Sequence, residues 1–330
     1  MTPEQVPTPQ PADASPETGA TVSMKTGDTR TMGYSHRDPS SDSSESLSPN
    51  APPPEVGDHV GTYVLQEKLG EGVSCHVFRG WDEARSCPVA LKILNWANVF
   101  DRSAAMKQLR MEAAGLSRVK HPQVVRFLDF GFDPRWPYLV TEFFEGRTLG
   151  ELLRGGGALP PAWAMYVTSQ MVDALGAVWK AGLVHRDIKP DNIMVGPNGV
   201  GKLIDFGLAK ADVLQANEAK VGPELAGTAA YLAPEQAKDA SVVDHRADVY
   251  SLGVTLYESL TGRLPFEAKN RVQVIFQHLS TPPVPPIQKN PAIPPLASDL
   301  CLWMLSKNPD DRPQTYEELR QAFNTVIGVR

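Results

Sequence analysis

The hydrophobic period of this chain becomes mostly helical beyond Gly146, and that change restricts the folds open to it. Before it, Tyr63-Val-Leu-Gln-Glu-Lys-Leu69, Cys75-His-Val-Phe-Arg79 and Val89-Ala-Leu-Lys-Ile-Leu94 are short β-prone runs separated by turn residues, which predicts antiparallel strands. One helix interrupts them. Met106, Leu109, Ala113 and Leu116 recur at three- and four-residue spacing behind Asp101 and Ser103, residues suited to a helix start. Two more strand-like stretches, Val124 to Phe130 and Tyr138 to Thr141, are bounded by breaks at His121-Pro122 and Pro134 to Pro137. After Gly146, Trp163, Val167, Met171, Ala174, Leu175 and Val178 make an apolar stripe on a helix opening near Pro160-Pro161. Further helices are predicted at about 246–261, 268–278, 297–306 and 315–325, with Thr281 to Pro295 as an extended, proline-rich connector. Strands first and helices second give the class α+β.

Residues 1–56 are of another kind. They hold ten Pro, nine Ser and seven Thr with few large apolar side chains, too little to offset the entropy of ordering, so a disordered tail is predicted ahead of a domain at 57–330. The tail reads either as a solvated spacer or as a phosphorylated regulatory segment. It also holds eight acidic and three basic residues, most of the formal net charge of −6. The remainder is close to neutral and shows no Lys/Arg cluster, which argues against nucleic acid as a partner. Cys75, Cys87 and Cys301 are odd in number and never form C-x-x-C, so neither a disulfide framework nor a zinc cage is suggested, and a reducing, cytoplasmic setting fits. No apolar run approaches the ~20 residues that span a bilayer, and the chain is predicted to be soluble.

The polar residues that carry chemistry lie in one short run, His185-Arg186-Asp187-Ile188-Lys189-Pro190-Asp191-Asn192, followed by Asp205-Phe206-Gly207. A carboxylate five residues before an amide, then a second carboxylate, can supply a base for a hydroxyl and ligands for Mg²⁺, a combination suited to phosphoryl transfer. With this run at the junction of the strand-rich and helix-rich halves, the chain resembles the eukaryotic-type (bacterial Hanks-type) serine/threonine protein kinase family over about residues 60–327. The resemblance implies a two-lobe fold: a small β-rich lobe at about 60–144 with one main helix, and a larger helical lobe at about 145–327.

It also implies roles. Gly70-Glu71-Gly72-Val73-Ser74-Cys75-His76-Val77, entered from Leu69, resembles the glycine-rich loop over the ATP phosphates, with Cys75 in place of the third glycine. Lys92 would pair with the α- and β-phosphates and be oriented by Glu112. Asp187 would accept the proton of the substrate hydroxyl, Lys189 would contact the transferring phosphate, and Asn192 and Asp205 would hold Mg²⁺, or Mn²⁺ in its place. Adenine would lie between Val77 and Ala90 on one side and Met194 on the other, bonded to backbone near Glu142 to Phe144, behind Thr141 as gatekeeper. Leu116, Phe127, His185 and Phe206 align with the apolar column joining the lobes. Gly227-Thr228-Ala-Ala-Tyr231-Leu-Ala233-Pro234-Glu235 resembles the peptide-docking segment, with Glu235 paired to Arg312 and Asp248 holding the catalytic-loop backbone.

Between Phe206 and Glu235 the hydroxyl side chains are Thr228 and Tyr231, so Leu208 to Ala226 offers no phosphate acceptor for Arg186. Asp212, Glu218 or Glu224 is expected to stand in. The alternative to an active kinase is a pseudokinase-like ATP-binding scaffold, whose mark would be loss of Lys92, Asp187 or Asp205; all three are present. A small-molecule phosphotransferase would lack Lys189 and Ala233-Pro234-Glu235. ATP and Ser/Thr-bearing proteins are the implied partners, and related bacterial kinases leave a homodimer open.

Overall fold

The computed structural model describes residues 51–72, 75–96, 99, 101–133, 135–205, 229–239 and 243–328. The first lobe is a six-stranded antiparallel sheet in the order β1-β2-β3-β4-β6-β5, built from β1 (His59–Val60), β2 (Tyr63–Glu71), β3 (Cys75–Asp82), β4 (Cys87–Leu94), β5 (Phe127–Phe132) and β6 (Pro137–Glu142). Strand β4 shows how sequence divides its two faces. Val89, Leu91 and Ile93 join Val60, Tyr63, Leu65, Phe78, Trp136, Tyr138 and Val140 in one apolar cluster. Lys92 and Leu94, at the alternate positions, face helix α1 (Arg102–Ser117). Asp101 caps α1 by accepting from the Ala104 N–H at 2.9 Å, and the buried face of the helix carries Met106, Leu109, Ala113 and Leu116 with Glu112 among them.

The second lobe packs around α3 (Pro161–Lys180) and α5 (Arg246–Thr261), preceded by α2 (Leu149–Gly156) and α4 (Pro234–Lys238) and completed by α6 (Arg271–Ser280), α7 (Pro286–Lys289), α8 (Pro295–Met304) and α9 (Tyr316–Ile327). Helix α5 is buried along nearly its whole length, from Ala247 to Leu260. Gly253 lets α8 approach it, since a Cβ there would stand 2.8 Å from the Cβ of Met304. A small sheet of β7 (Arg147–Thr148), β8 (Ile193–Val195) and β9 (Gly201–Leu203) carries the polar run to the edge of this lobe. No helix of the described residues is long and apolar enough to cross a membrane.

Several local expectations are corrected. Val124 makes one parallel bridge to Leu203, and the strand expected from Val124 begins at Phe127. The connector expected to be extended from Thr281 to Pro295 carries one helical turn, α7, because Pro286 opens a helix at its first position, where no N–H is needed. Helix α2, not anticipated, is set by a reciprocal cap: Glu151 N–H donates to the Thr148 hydroxyl at 3.0 Å and Thr148 N–H to the Glu151 carboxylate at 2.9 Å. Contacts to the sheet begin before the composition break at Gly57. Ala51 packs on the first cluster, Pro54 is buried, and the Trp136 indole N–H donates to the Pro52 carbonyl at 2.9 Å.

Candidate active site

Lys92 and Glu112 meet because two local periods agree: the pleat of β4 turns Lys92 toward α1, and the helical repeat of α1 turns Glu112 toward β4. Lys92 Nζ donates to both Glu112 oxygens, at 2.8 and 2.9 Å, and to Asp205 Oδ1 at 2.7 Å. Burial opposes the ammonium, but Asp205 and Glu112 outweigh it and hold its pKa well above the usual lysine range. Burial and the like charge of Asp205 push Glu112 up, and Lys92 pulls it back toward the ionised form. One ammonium thus serves two carboxylates. Asp205 keeps 39 % of its side chain exposed and so faces outward from the triad.

The Asp187 carboxyl is 2 % exposed, held by the Asn192 Nδ2–H at 2.8 Å, and lies 3.4 Å from Lys189 Nζ. The same Nδ2 also donates to the Asp187 carbonyl at 2.7 Å, which spends the amide's donor end within the loop and leaves acceptor capacity at Oδ1. The loop is fastened from beneath. Asp248, buried on α5, accepts from the N–H groups of His185 and Arg186 at 2.7 and 2.8 Å, and burial pushes its carboxyl up to about 7 against those two bonds. Arg186 has φ +68°, the left-handed region that side chains disfavour, and Gln236 of α4 donates to its carbonyl at 3.3 Å. His185, fully buried, accepts from the Asp187 N–H at 3.3 Å.

The predicted nucleotide residues share one sheet face. Val77 stands opposite Lys92 across β3–β4, and Ala90 opposite Thr141 across β4–β6; directly opposed residues project to the same side, so all four lie on the α1 side. Leu69 is 45 % exposed near the end of β2, and the Gly72 N–H donates to the Cys75 carbonyl at 2.8 Å. Gly70 pairs with Val77. Met194 lies on β8, opposite Thr148 and Lys202. Glu142 closes the gap between the sheets: its side chain accepts from Lys202 Nζ at 2.6 Å and from the Arg126 N–H at 2.9 Å. Phe144 holds its ring 5.3 Å from the same ammonium. Nothing in the spacing of Lys202 announced this link.

Glu235 and Arg312 form a two-pronged pair at 2.6 and 2.8 Å, with Arg312 almost wholly buried. Tyr231 donates to Glu258 at 2.5 Å, and Arg154 donates to Asp191 at 2.8 Å within the polar run; neither contact is expected from the sequence. Phe206, Thr228 and the proposed stand-in acids Asp212, Glu218 and Glu224 lie outside the described residues. Among the described residues no three His, Cys, Asp or Glu side chains converge as a metal cage. Asn192 Oδ1 and the Asp205 carboxylate nevertheless suit Mg²⁺, which takes one or two protein oxygens and completes its shell with phosphates and water.

The family described as "Protein kinase domain" matches residues 63–324. Among curated proteins, the serine/threonine-protein kinase PknL of Mycobacterium tuberculosis is 39% identical over 250 residues, covering 76% of this chain and 62% of that one. Serine/threonine-protein kinase PknB of Mycolicibacterium smegmatis is 37% identical over 262 residues, covering 78% and 42%. The matched region therefore spans less than two thirds of these relatives. Of solved structures, Rad53 1-466 in complex with AMP-PNP superposes with TM-score 0.65 at 25% identity, covering 81% of this chain and 66% of that one. The Mycobacterium tuberculosis PknI kinase domain gives TM-score 0.63 at 23% identity, covering 83% and 98%, a likeness of fold.

Proposed function

The chain belongs to the protein kinase domain family, and from that premise we propose that it transfers the γ-phosphoryl group of ATP to Ser and Thr hydroxyls of proteins. The observation that carries the reading is Asp187: a buried carboxylate, steadied by Asn192 and beside Lys189, on a loop that Asp248 pins through two backbone N–H groups. In the proposed step the substrate oxygen forms the new P–O bond as the bond to the β-phosphate oxygen breaks, ADP departs, and the hydroxyl proton passes to Asp187. Lys92 would grip the α- and β-phosphates, and Lys189 would neutralise the transferring group. Mg²⁺ or Mn²⁺, when bound by Asn192 and Asp205, supplies further neutralisation of phosphate charge.

The relatives named as serine/threonine kinases, and the nucleotide analogue in the Rad53 structure, support ATP and protein hydroxyls as the substrates. Cys75, Cys87 and Cys301 form no disulfide with one another, which suits action in the cytoplasm. Tail hydroxyls such as Thr21, Ser23, Thr26, Thr29 and Thr31 are proposed as autophosphorylation sites, because a tethered segment has a high effective concentration at its own domain. The test is purified full chain with γ-labelled ATP, Mg²⁺ and generic Ser/Thr peptides. Label on Ser or Thr is expected; nucleotide binding without transfer would favour the scaffold reading, and transfer to small molecules alone would overturn the protein-kinase assignment.

A further inference from the structure

The hinge Glu142-Phe143-Phe144, which leaves the end of β6 and leads to β7, is held by two cations, one from each lobe. The small lobe supplies Arg79 of β3. It stands opposite Ala90, and Ala90 opposite Thr141, so Arg79 projects to the nucleotide face, where its guanidinium lies 5.0 Å from the Phe143 ring centroid. The large lobe supplies Lys202 of β9, which donates to the Glu142 carboxylate at 2.6 Å and lies 5.3 Å from the Phe144 ring centroid. Lys202 stands opposite Met194 across β8–β9, so this anchor and the floor expected for adenine share one face.

Two rings adjacent in sequence are thus assigned to different lobes. Phe144 packs against the turn after β8, where a Cβ on Gly196 would stand 3.1 Å from its ring edge, while Phe143 engages β3 through Arg79. Glu142 is fastened on the small-lobe side as well: its N–H donates to the Arg126 carbonyl and its carboxylate accepts from the Arg126 N–H, both at 2.9 Å. The only acid recorded beside Arg79 among the described residues is Glu67 at 4.0 Å, and with side chains 40 % and 61 % exposed that contact is too open to fix the guanidinium. The ring is the better partner, since a planar guanidinium stacks on an aromatic face.

We propose, on the reading that ATP is the substrate, that Arg79 and Lys202 are positioning residues for the nucleotide. They fix the backbone N–H and C=O groups of Glu142 to Phe144, to which adenine would bond, in one register against Val77 and Ala90 on one side and Met194 on the other. Each acts through the hinge and not on the phosphates. With either cation gone, the hinge keeps its reference to one lobe and loses the other, so nucleotide binding must itself order the segment and affinity falls. Asp187 is positioned separately, by Asn192 and by the loop that Asp248 pins. Adenine is held alike before and during transfer, so the loss falls on the KM for ATP and leaves kcat in place.

Full-chain Arg79→Met, Arg79→Lys, Lys202→Met and Lys202→Arg are compared with wild type by calorimetric titration with ADP and Mg²⁺. Steady-state labelling of a generic Ser/Thr peptide gives kcat and the KM values for ATP and peptide. Each Met variant is expected to weaken ADP and raise the KM for ATP about tenfold, with kcat and the peptide KM within about twofold of wild type, and Lys202→Arg and Arg79→Lys to recover most of the loss. Glu142→Gln/Lys202→Met, which leaves no carboxylate unpaired, is expected to show the same split and guards against a folding defect in Lys202→Met. Unchanged ADP affinity in either Met variant, a fall in kcat with ADP binding intact, or a rise in kcat that would make the clamp a restraint on closure overturns the proposal. Wild type that binds ADP without labelling peptide refutes the kinase reading alone, and the ADP affinities of the variants then decide the clamp.

Discussion

Replacing Glu235 by Gln tests how far one buried ion pair holds the second lobe together. The five N–H donors of Arg312 all have acceptors: two reach Glu235 at 2.6 and 2.8 Å, and the others reach the carbonyls of Ser306 at 2.8 Å, Arg246 at 2.8 Å and Lys307 at 3.1 Å. Glu235→Gln keeps the shape but removes the counter-charge and sets an amide N–H against a guanidinium N–H. Orphaning a buried charge costs about 3–5 kcal/mol, and the low end applies because the Glu235 side chain is 17 % exposed and the three carbonyls remain. For a domain of this size, about 3 kcal/mol lowers Tm by about 6 °C or more. Thermal unfolding of the full chain followed by circular dichroism reads this directly. The double variant Glu235→Leu/Arg312→Met leaves no charge unpaired and is expected to lose less than the sum of the two singles, although the three carbonyls then lack their donor. A single variant melting within about 2 °C of wild type, or a double variant whose loss is the sum of the two singles, would refute the orphaned-charge argument.

Asp187→Asn is expected to lower phosphate transfer by about 10²–10⁴-fold with little change in melting, because the amide keeps the volume but cannot take the proton; near-wild-type turnover of labelled ATP would remove Asp187 from the chemistry. Deleting residues 1–50 should leave Tm unchanged, whereas deleting 1–56 should lower it by about 4 °C, since Pro54 and the contacts of Trp136 contribute about 2 kcal/mol; equal melting of the two truncations would show that the segment adds nothing. Lys307 releases its proton at about 8 when folded and at about 10.4 when unfolded, so between these values the unfolded chain binds more protons and stability rises with pH. After discounting for solvent screening the gain is about 1–2 kcal/mol between pH 8 and 10, absent in Lys307→Met; chemical denaturation showing the same pH slope in both proteins would exclude Lys307 as its source.

The parts of the site legible in the sequence are those set by short-range period. A two-residue repeat puts Lys92 on the opposite face from Val89, Leu91 and Ile93, and a 3.6-residue repeat groups Glu112 with Leu109, Ala113 and Leu116, so each side chain's direction follows from its own element. The meeting of Lys92 with Asp205, more than a hundred positions along, is a property of the packed lobes, and neither the spacing nor the resemblance stated it. Lys202 with Glu142 and Lys307 with Tyr250 are likewise long-range contacts of residues that look like ordinary surface charges in sequence. Strands β8 and β9, three residues each, are too short to display alternation. Thr148-x-x-Glu151 did carry a capping signal, but in front of a helix of eight residues, with little periodicity behind it. Averaging the tail's composition over residues 1–56 hid the last few, where Ala51 packs on an apolar cluster and Pro54 is buried, which the preceding proline- and serine-rich stretch cannot reveal.

Arg186 ties these levels together. Its left-handed backbone costs about 1–2 kcal/mol for a side-chain-bearing residue, and no preference of Arg itself selects it. What selects it is the demand that two successive N–H groups, of His185 and Arg186, point at one carboxylate below while the Arg186 carbonyl turns to Gln236. Hydrogen bonds from N–H to a charged group are worth about 1.5–3 kcal/mol each, enough for two of them to outweigh the strain. Asp248 can supply that charge in the interior only because both its oxygens are satisfied by the loop it holds. The burial cost of Asp248 and the strain at Arg186 are therefore two halves of one arrangement, and what they maintain together is the position of the next residue, Asp187.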